Sequence, residues 1–239
     1  MFRNFICVAV ILFINGISKA QSASDTLSGT ILHPATVYYQ TLGEQSPLYN
    51  AREYVDYAST IQVGHAFYNT NEFVKGTIHF DGMSFENVMI LYDIIKDKVI
   101  LQHFNKVFRI DLPVNKIQEF SMLDHRFIRI LPDSNQTIQE GFYDKLYQGK
   151  TLLFAKRRKK IREERTGTDI INVVDESIIF YIQKQGIYYP VKNMGSLLNV
   201  LSGKREQIRQ YLKKNGVKFR KEPEKAVLMA VEHYDRLSN

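Results

Sequence analysis

A chain of 239 residues with 44% hydrophobic residues has enough apolar side chains for an ordinary packed core, which excludes a wholly disordered polymer. Its formal charge of +7 is a mild basic bias, two charges lower if Arg3 and Lys19 leave with an N-terminal leader. The single cysteine, Cys7, falls inside that leader, so the rest of the chain is excluded from thiol catalysis, cysteine-ligated zinc, iron–sulfur chemistry and disulfide stapling.

The leader comes first in chain order. Arg3 precedes an apolar run from Phe5 to Phe13, continued by Ile14 and Ile17, and Ser18-Lys19-Ala20 places small residues at −3 and −1 of a cut before Gln21. These are the three parts of a secretory signal peptide, and the run is shorter than the about 20 residues that a membrane span needs. Residues 1–20 are therefore read as a signal peptide. The chain is expected to be exported, to the periplasm or beyond, with no transmembrane segment after cleavage. Cys7 lies at the wrong end of the apolar run for lipoprotein processing.

Residues 21–45, rich in Ser, Thr, Gly and Gln, read as a flexible lead-in with one short strand at Thr36–Gln40. In residues 46–60, Tyr54 and Tyr57 are three apart, which suits either a short helix with an aromatic face or a structured loop. Strand grammar then takes over. Val74, Ile78 and Phe80 share one face of an alternating segment and Lys75, Thr77 and His79 the other. Asp81-Gly82 is a two-residue hairpin turn leading into a returning strand, Met83–Tyr92. Lys98–Phe104, Lys106–Leu112, Asn115–Phe120, Arg126–Leu131, Thr137–Tyr147 and Thr151–Lys160 follow at short intervals, and Ser177–Gln183 with Ile187–Val191 makes a hairpin around Gln185-Gly186. Such spacing, with no helical stretches between, predicts an antiparallel sheet rather than a parallel α/β sheet.

The C-terminal segment is helical in pattern. Ser196 is the expected N-cap of a first helix, Lys204–Lys214 continues it, Asn215-Gly216 stops it, and Pro223 opens a last helix with Glu222 and Glu224 at its N-terminal end. The predicted fold class is therefore α+β: a mainly antiparallel sheet (meander, sandwich or half-barrel) with two or three C-terminal helices. The β-rich domain covers residues 46–192 and the helical segment packed on it covers 193–239.

Leu48-Tyr49-Asn50-Ala51-Arg52-Glu53-Tyr54, Gly64-His65-Ala66-Phe67, Gly76 to Gly82, Leu91-Tyr92-Asp93 and Gly141-Phe142-Tyr143, with a terminal helix rich in Lys and Tyr, resemble a group of uncharacterised exported proteins of Gram-negative bacteria. The resemblance covers most of residues 45–239. It implies a periplasmic or secreted location and no known reaction.

The most conspicuous candidate site is Lys156-Arg157-Arg158-Lys159-Lys160, extended by Arg162 and Arg165. On an extended strand Lys156, Arg158 and Lys160 project one way, Arg157 and Lys159 the other. The run is either an anion-binding ribbon, each cation contributing about 1 kcal/mol near an anionic membrane, or a solvated charged edge that discourages sheet-to-sheet association. A curved sheet could gather His65, His79 and His103 with Asp81 or Asp93, but no spacing requires it, and no metal site or cofactor is expected. Asp124-His125 is the one pair suited to orienting an imidazole, yet Gly-x-Ser-x-Gly is absent. The paired aromatics Phe67-Tyr68 and Tyr188-Tyr189 suit either a ligand cavity or a sheet buried on both faces. These features point to a non-catalytic binding or envelope-associated protein, with an envelope protein or an anionic lipid surface as partner and no nucleic acid. The alternatives are a carrier of a hydrophobic ligand and, third, a hydrolase.

Overall fold

In the computed structural model the described residues are 46–133 and 137–238. The leader, the lead-in and the short strand expected at Thr36–Gln40 lie outside them. Among the described residues eleven strands form one antiparallel sheet: β1 (Arg52–Glu53), β2 (Val74–Phe80), β3 (Met83–Asp93), β4 (Lys98–Gln102), β5 (Arg109–Asp111), β6 (Ile117–Met122), β7 (His125–Ile130), β8 (Gly141–Gln148), β9 (Leu152–Thr166), β10 (Asp169–Lys184) and β11 (Ile187–Val191). The order across the sheet is β1-β5-β4-β3-β2-β6-β7-β8-β9-β10-β11. Two meanders, β2–β5 and β6–β11, are thus joined back to back by β2 pairing with β6. The first and last strands each pair on one side, so the sheet stays open and is not a barrel.

The tight turns follow from residues that accept positive φ. Asp81 and Gly82 (φ 53° and 78°) link β2 to β3, and Gln185 and Gly186 (φ 50° and 81°) link β10 to β11. Leu123 and Asp124 (φ 49° and 62°) do the same between β6 and β7 without a glycine. The hairpin of β9 and β10 is longer than the sequence pattern suggested, since pairing continues from Ile179↔Lys156 out to Asp169↔Thr166. On β9 its outer half is mostly charged and exposed on both faces, and on β10 residues 170–174 are largely apolar on both faces, so backbone pairing, not alternation, marks it as strand.

Alternation does decide burial elsewhere. Ile90 and Tyr92 of β3 enter the main core with Phe120, Phe127 and Phe142, whereas Leu91 faces the other side with Ile100, Tyr54 and Phe67. On β9, Leu153 and Ala155 lie under the helices while Phe154 packs with Tyr143 and Tyr181. The sheet is therefore buried on both faces over much of its area, and the paired aromatics Phe67-Tyr68 fill packing on opposite sides rather than line a space.

Residues 54–73 form a strap between β1 and β2, the structured loop of the two alternatives considered above, with one 3-10 turn at Ala58–Thr60. At one end Tyr68 N–H donates to Tyr92 C=O and Ile94 N–H to Ala66 C=O. At the other, Val63 bridges Val173 of β10 in parallel, and Asn172 Nδ2 donates to Thr60 C=O. The strap ties β3 to the outer edge of the long hairpin.

Three helices close the chain: α1 (Met194–Val200), α2 (Arg205–Lys214) and α3 (Pro223–Leu237). The cap of α1 is Asn193, not Ser196. The Asn193 side chain accepts from Ser196 N–H at 2.9 Å, and Ser196 Oγ accepts from Asn193 N–H at 3.0 Å, a reciprocal capping box. Ile208, Leu212, Ala226, Val227, Ala230 and Val231 form the buried stripes that meet β9 and β10. The buried Asp235 carboxylate pins α3 by accepting from Thr151 N–H and Thr151 Oγ, both at 3.0 Å.

Candidate functional site

The basic run lies on β9, and strand alternation sends its members to different places. Lys156 Nζ is buried, 2.5 Å from Asp97 Oδ2 and 3.0 Å from Phe142 C=O. Burial lowers its pKa, and the Asp97 carboxylate opposes that shift. Arg157, also buried, donates through Nε (2.9 Å) and Nη2 (2.6 Å) to Asp144 Oδ2, and Nη2 meets Glu224 of α3 at 3.0 Å. Arg158 reaches Gln139 Oε1 at 2.7 Å, and Lys159 Nζ donates to Phe67 C=O at 2.6 Å, holding the strap. Arg162 is paired with Asp175 and Glu164. Of the six, Lys160 alone is exposed with no side-chain partner among the described residues.

These partners have structural work of their own. Pairing between β8 and β9 stops at Asp144↔Ala155. Beyond that point Phe142 N–H and C=O lose their strand partner, and Asp97 Oδ2 (3.2 Å) and Lys156 Nζ take it over. Tyr92 Oη donates to the other oxygen of Asp97 at 2.5 Å. Asp97 sits in the β3–β4 turn, so this contact requires the sheet to coil across β2, β6 and β7.

His125 finds its carboxylate on β8 rather than next door in the chain. Its Nδ1 is 2.7 Å from Asp144 Oδ2, the oxygen that Arg157 also holds, and Asp144 Oδ1 is buried without a hydrogen-bond partner. The Tyr68 ring packs edge-on to His125 at 5.4 Å, and burial pushes the Tyr68 hydroxyl up to about 12. Among the described residues no hydroxyl is hydrogen-bonded to His125, so the Asp–His pair lacks the nucleophile that acyl transfer needs. His65, His79 and His103 lie apart, in the strap, on β2 and in the β4–β5 turn, and no group of three or more His, Cys, Asp or Glu suited to a metal occurs among the described residues.

A third cluster has a measurable signature. The Asp93 carboxylate, fully buried, accepts from Tyr54 Oη at 2.8 Å and Tyr57 Oη at 2.9 Å. Burial first, and then the carboxylate, holds both phenols well above the ordinary tyrosine range, and burial with Asp97 does the same for Tyr92. A phenol whose folded pKa exceeds its unfolded value of about 10 stabilises the fold in full below that pH, and the contribution is lost as pH rises through the folded value. Phenolate absorbance should therefore rise in two stages, the second coinciding with cooperative alkaline unfolding. Ordinary titration of all 14 tyrosines in a still-folded protein would contradict the cluster.

A site with room for a ligand is at the other end of the sheet. An open groove of about 710 Å³ runs between β10, the start of α1 and the α2–α3 link. Ile178, Phe180, Val191, Met194 and Phe219 give it an apolar floor and wall, and Lys192 and Arg220 stand at its rim with Glu176. A second groove of about 440 Å³ shares Met194, Phe219 and Arg220 and adds Lys213 and Lys218. Lys192, Lys213, Lys218 and Arg220 are exposed and make no ion pair among the described residues, while Glu176 is opposite Lys159 on the neighbouring strand. No protein-family model, no curated protein and no solved structure matches the chain.

Sequence reasoning passed over this groove because its residues come from β10, β11 and the helix link. The one local signal is Lys218-Phe219-Arg220-Lys221, an aromatic within a basic run between Gly216 and Pro223. Among the described residues no helix is long and apolar enough to cross a membrane.

Proposed function

We propose that the chain is an exported, non-catalytic binding protein and that its ligand is an anionic amphiphile held in the groove between β10, α1 and the α2–α3 link. The observation that carries this reading is the open apolar groove of about 710 Å³ with the cations Lys192 and Arg220, which form no ion pair among the described residues, on its rim. Its size falls in the range of about 300–1,000 Å³ typical of small-molecule sites. An apolar chain laid on Phe180, Val191, Met194 and Phe219 leaves water, and an anionic head within reach of two cations gains charge-assisted hydrogen bonds. The leader motif of residues 1–20 supports the export half of the reading, and the resemblance to exported Gram-negative proteins agrees with it.

Native mass spectrometry of the protein recovered from cells tests both halves. The expected species begins at Gln21 and carries an added mass that organic extraction removes. Binding of palmitate to the stripped protein should weaken on the order of tenfold in Arg220→Glu, and hexadecanol, which lacks the charge, should not respond to that change. A ligand-free native mass together with no measurable palmitate binding overturns the reading.

A further inference from the structure

The turn between β4 and β5 is built unlike the other turns of the sheet. Residues 103–108 expose three apolar side chains within five positions: Phe104 is 47% exposed, Val107 75% and Phe108 48%. Isolated exposed apolar residues need no explanation, but three together at the tip of a hairpin do.

The polar groups of this tip are turned inward. His103 N–H donates to Phe108 C=O at 3.0 Å and Lys106 N–H to His103 C=O at 2.9 Å. Asn105 N–H donates to His103 Nδ1 at 3.3 Å, and the Asn105 side-chain oxygen accepts from Val107 N–H (3.0 Å) and Phe108 N–H (3.3 Å). Five of the six backbone N–H groups of residues 103–108 are thus satisfied within the turn itself. Lys106, at φ 58°, is exposed among the apolar side chains and forms no ion pair among the described residues. Tyr49 and His103 pack against Phe104, at 4.5 Å and 6.4 Å between ring centroids, and hold the tip in shape.

An apolar tip that satisfies five of its six backbone N–H groups internally suits the interface of a lipid bilayer, where the remaining carbonyls can stay at head-group level, because unsatisfied backbone groups are what the hydrocarbon core excludes. Protein partners demand more area, about 800 Å² from each side, than a six-residue turn presents. The lone cation adds attraction to anionic head groups. We infer that the β4–β5 turn is a membrane-docking finger that seats Phe104, Val107 and Phe108 in the interface of an anionic bilayer. This inference does not depend on the ligand groove.

The chain has no tryptophan, so a single introduced one reports on its own surroundings. With vesicles of phosphatidylglycerol and phosphatidylethanolamine, Val107→Trp should shift its emission to shorter wavelength and be quenched by brominated lipid. Ile170→Trp, at the end of the β9–β10 hairpin, should do neither. In the protein without a reporter, Val107→Asp should lower vesicle co-sedimentation by about tenfold or more, with an unchanged circular dichroism spectrum. Phe104→Ser with Phe108→Ser supplies a second variant should the aspartate disturb the turn. An unshifted Val107→Trp at saturating lipid, equal shifts at both reporters, or wild-type co-sedimentation of the variants overturns the inference. So does a dimer that Val107→Asp dissociates in a protein that binds no vesicles, since the tip would then join two copies.

Discussion

Asp144→Ala should be among the most damaging single substitutions in this protein, with a loss of about 3–5 kcal/mol in urea unfolding. The change leaves Arg157 buried and stripped of two of its hydrogen bonds, with Glu224 as its one remaining carboxylate among the described residues. Uncompensated burial of a charge, not loss of the pair's attraction, supplies most of the penalty. Asp144→Leu combined with Arg157→Met should therefore recover much of it, because both desolvated charges are gone. The double substitution is the decisive arm: if it is as unstable as Asp144→Ala, the cluster contributes more than a desolvation balance. If Asp144→Ala is neutral, Arg157 does not depend on this carboxylate.

The second large effect is expected at Gly141. Its φ of +147° is unfavourable for other residues, and a β-carbon there would occupy the space of the Asp97 carboxylate and the Lys156 ammonium. Gly141→Ala should cost about 3–5 kcal/mol, because it parts a buried ion pair and strips Phe142 of both substitute hydrogen-bond partners. Gly167→Ala is the control. It also has positive φ (64°) but meets nothing within 4 Å, so backbone strain alone should cost about 1 kcal/mol. Equal midpoints for the two variants in urea would mean that the Asp97–Lys156 contact does not hold β8 in place.

The contrast between those two glycines also marks how far the sequence was legible. Turn chemistry and strand alternation are local, so Asp81-Gly82, Gln185-Gly186, the β2–β3 hairpin and the antiparallel class could be read directly. Leu123-Asp124 offers no such signal, and the outer half of the β9–β10 hairpin is hidden because neither its charged β9 residues nor its apolar run Ile170–Val174 alternates. The alternation of Lys156 and Arg157 was readable, but their destinations were not. Asp97 lies 59 positions from Lys156 and meets it only because the sheet coils. Nor could the sequence single out Asp144, on the neighbouring strand, as the partner of His125 in place of the adjacent Asp124. The groove was invisible for a related reason: each of its three segments, 176–180, 191–194 and 219–223, carries apolar and charged residues, but nothing local shows that the three converge.

The strand order has a bearing on how the protein is made. Apart from β1 with β5 and β2 with β6, neighbours in the sheet are also neighbours in the chain. Contacts of that kind close short loops and form early, so the β2–β5 meander can assemble on its own before the rest of the sheet. Until residues 117–122 pair with it, however, β2 presents a bare hydrogen-bonding edge with Ile78 and Phe80 beside it, which is a template for pairing with a stranger. The interval of greatest risk for this polypeptide is thus the one in which the β2–β5 meander has formed and β6 has not yet joined it, and a chaperone that recognises extended apolar segments would be needed most there.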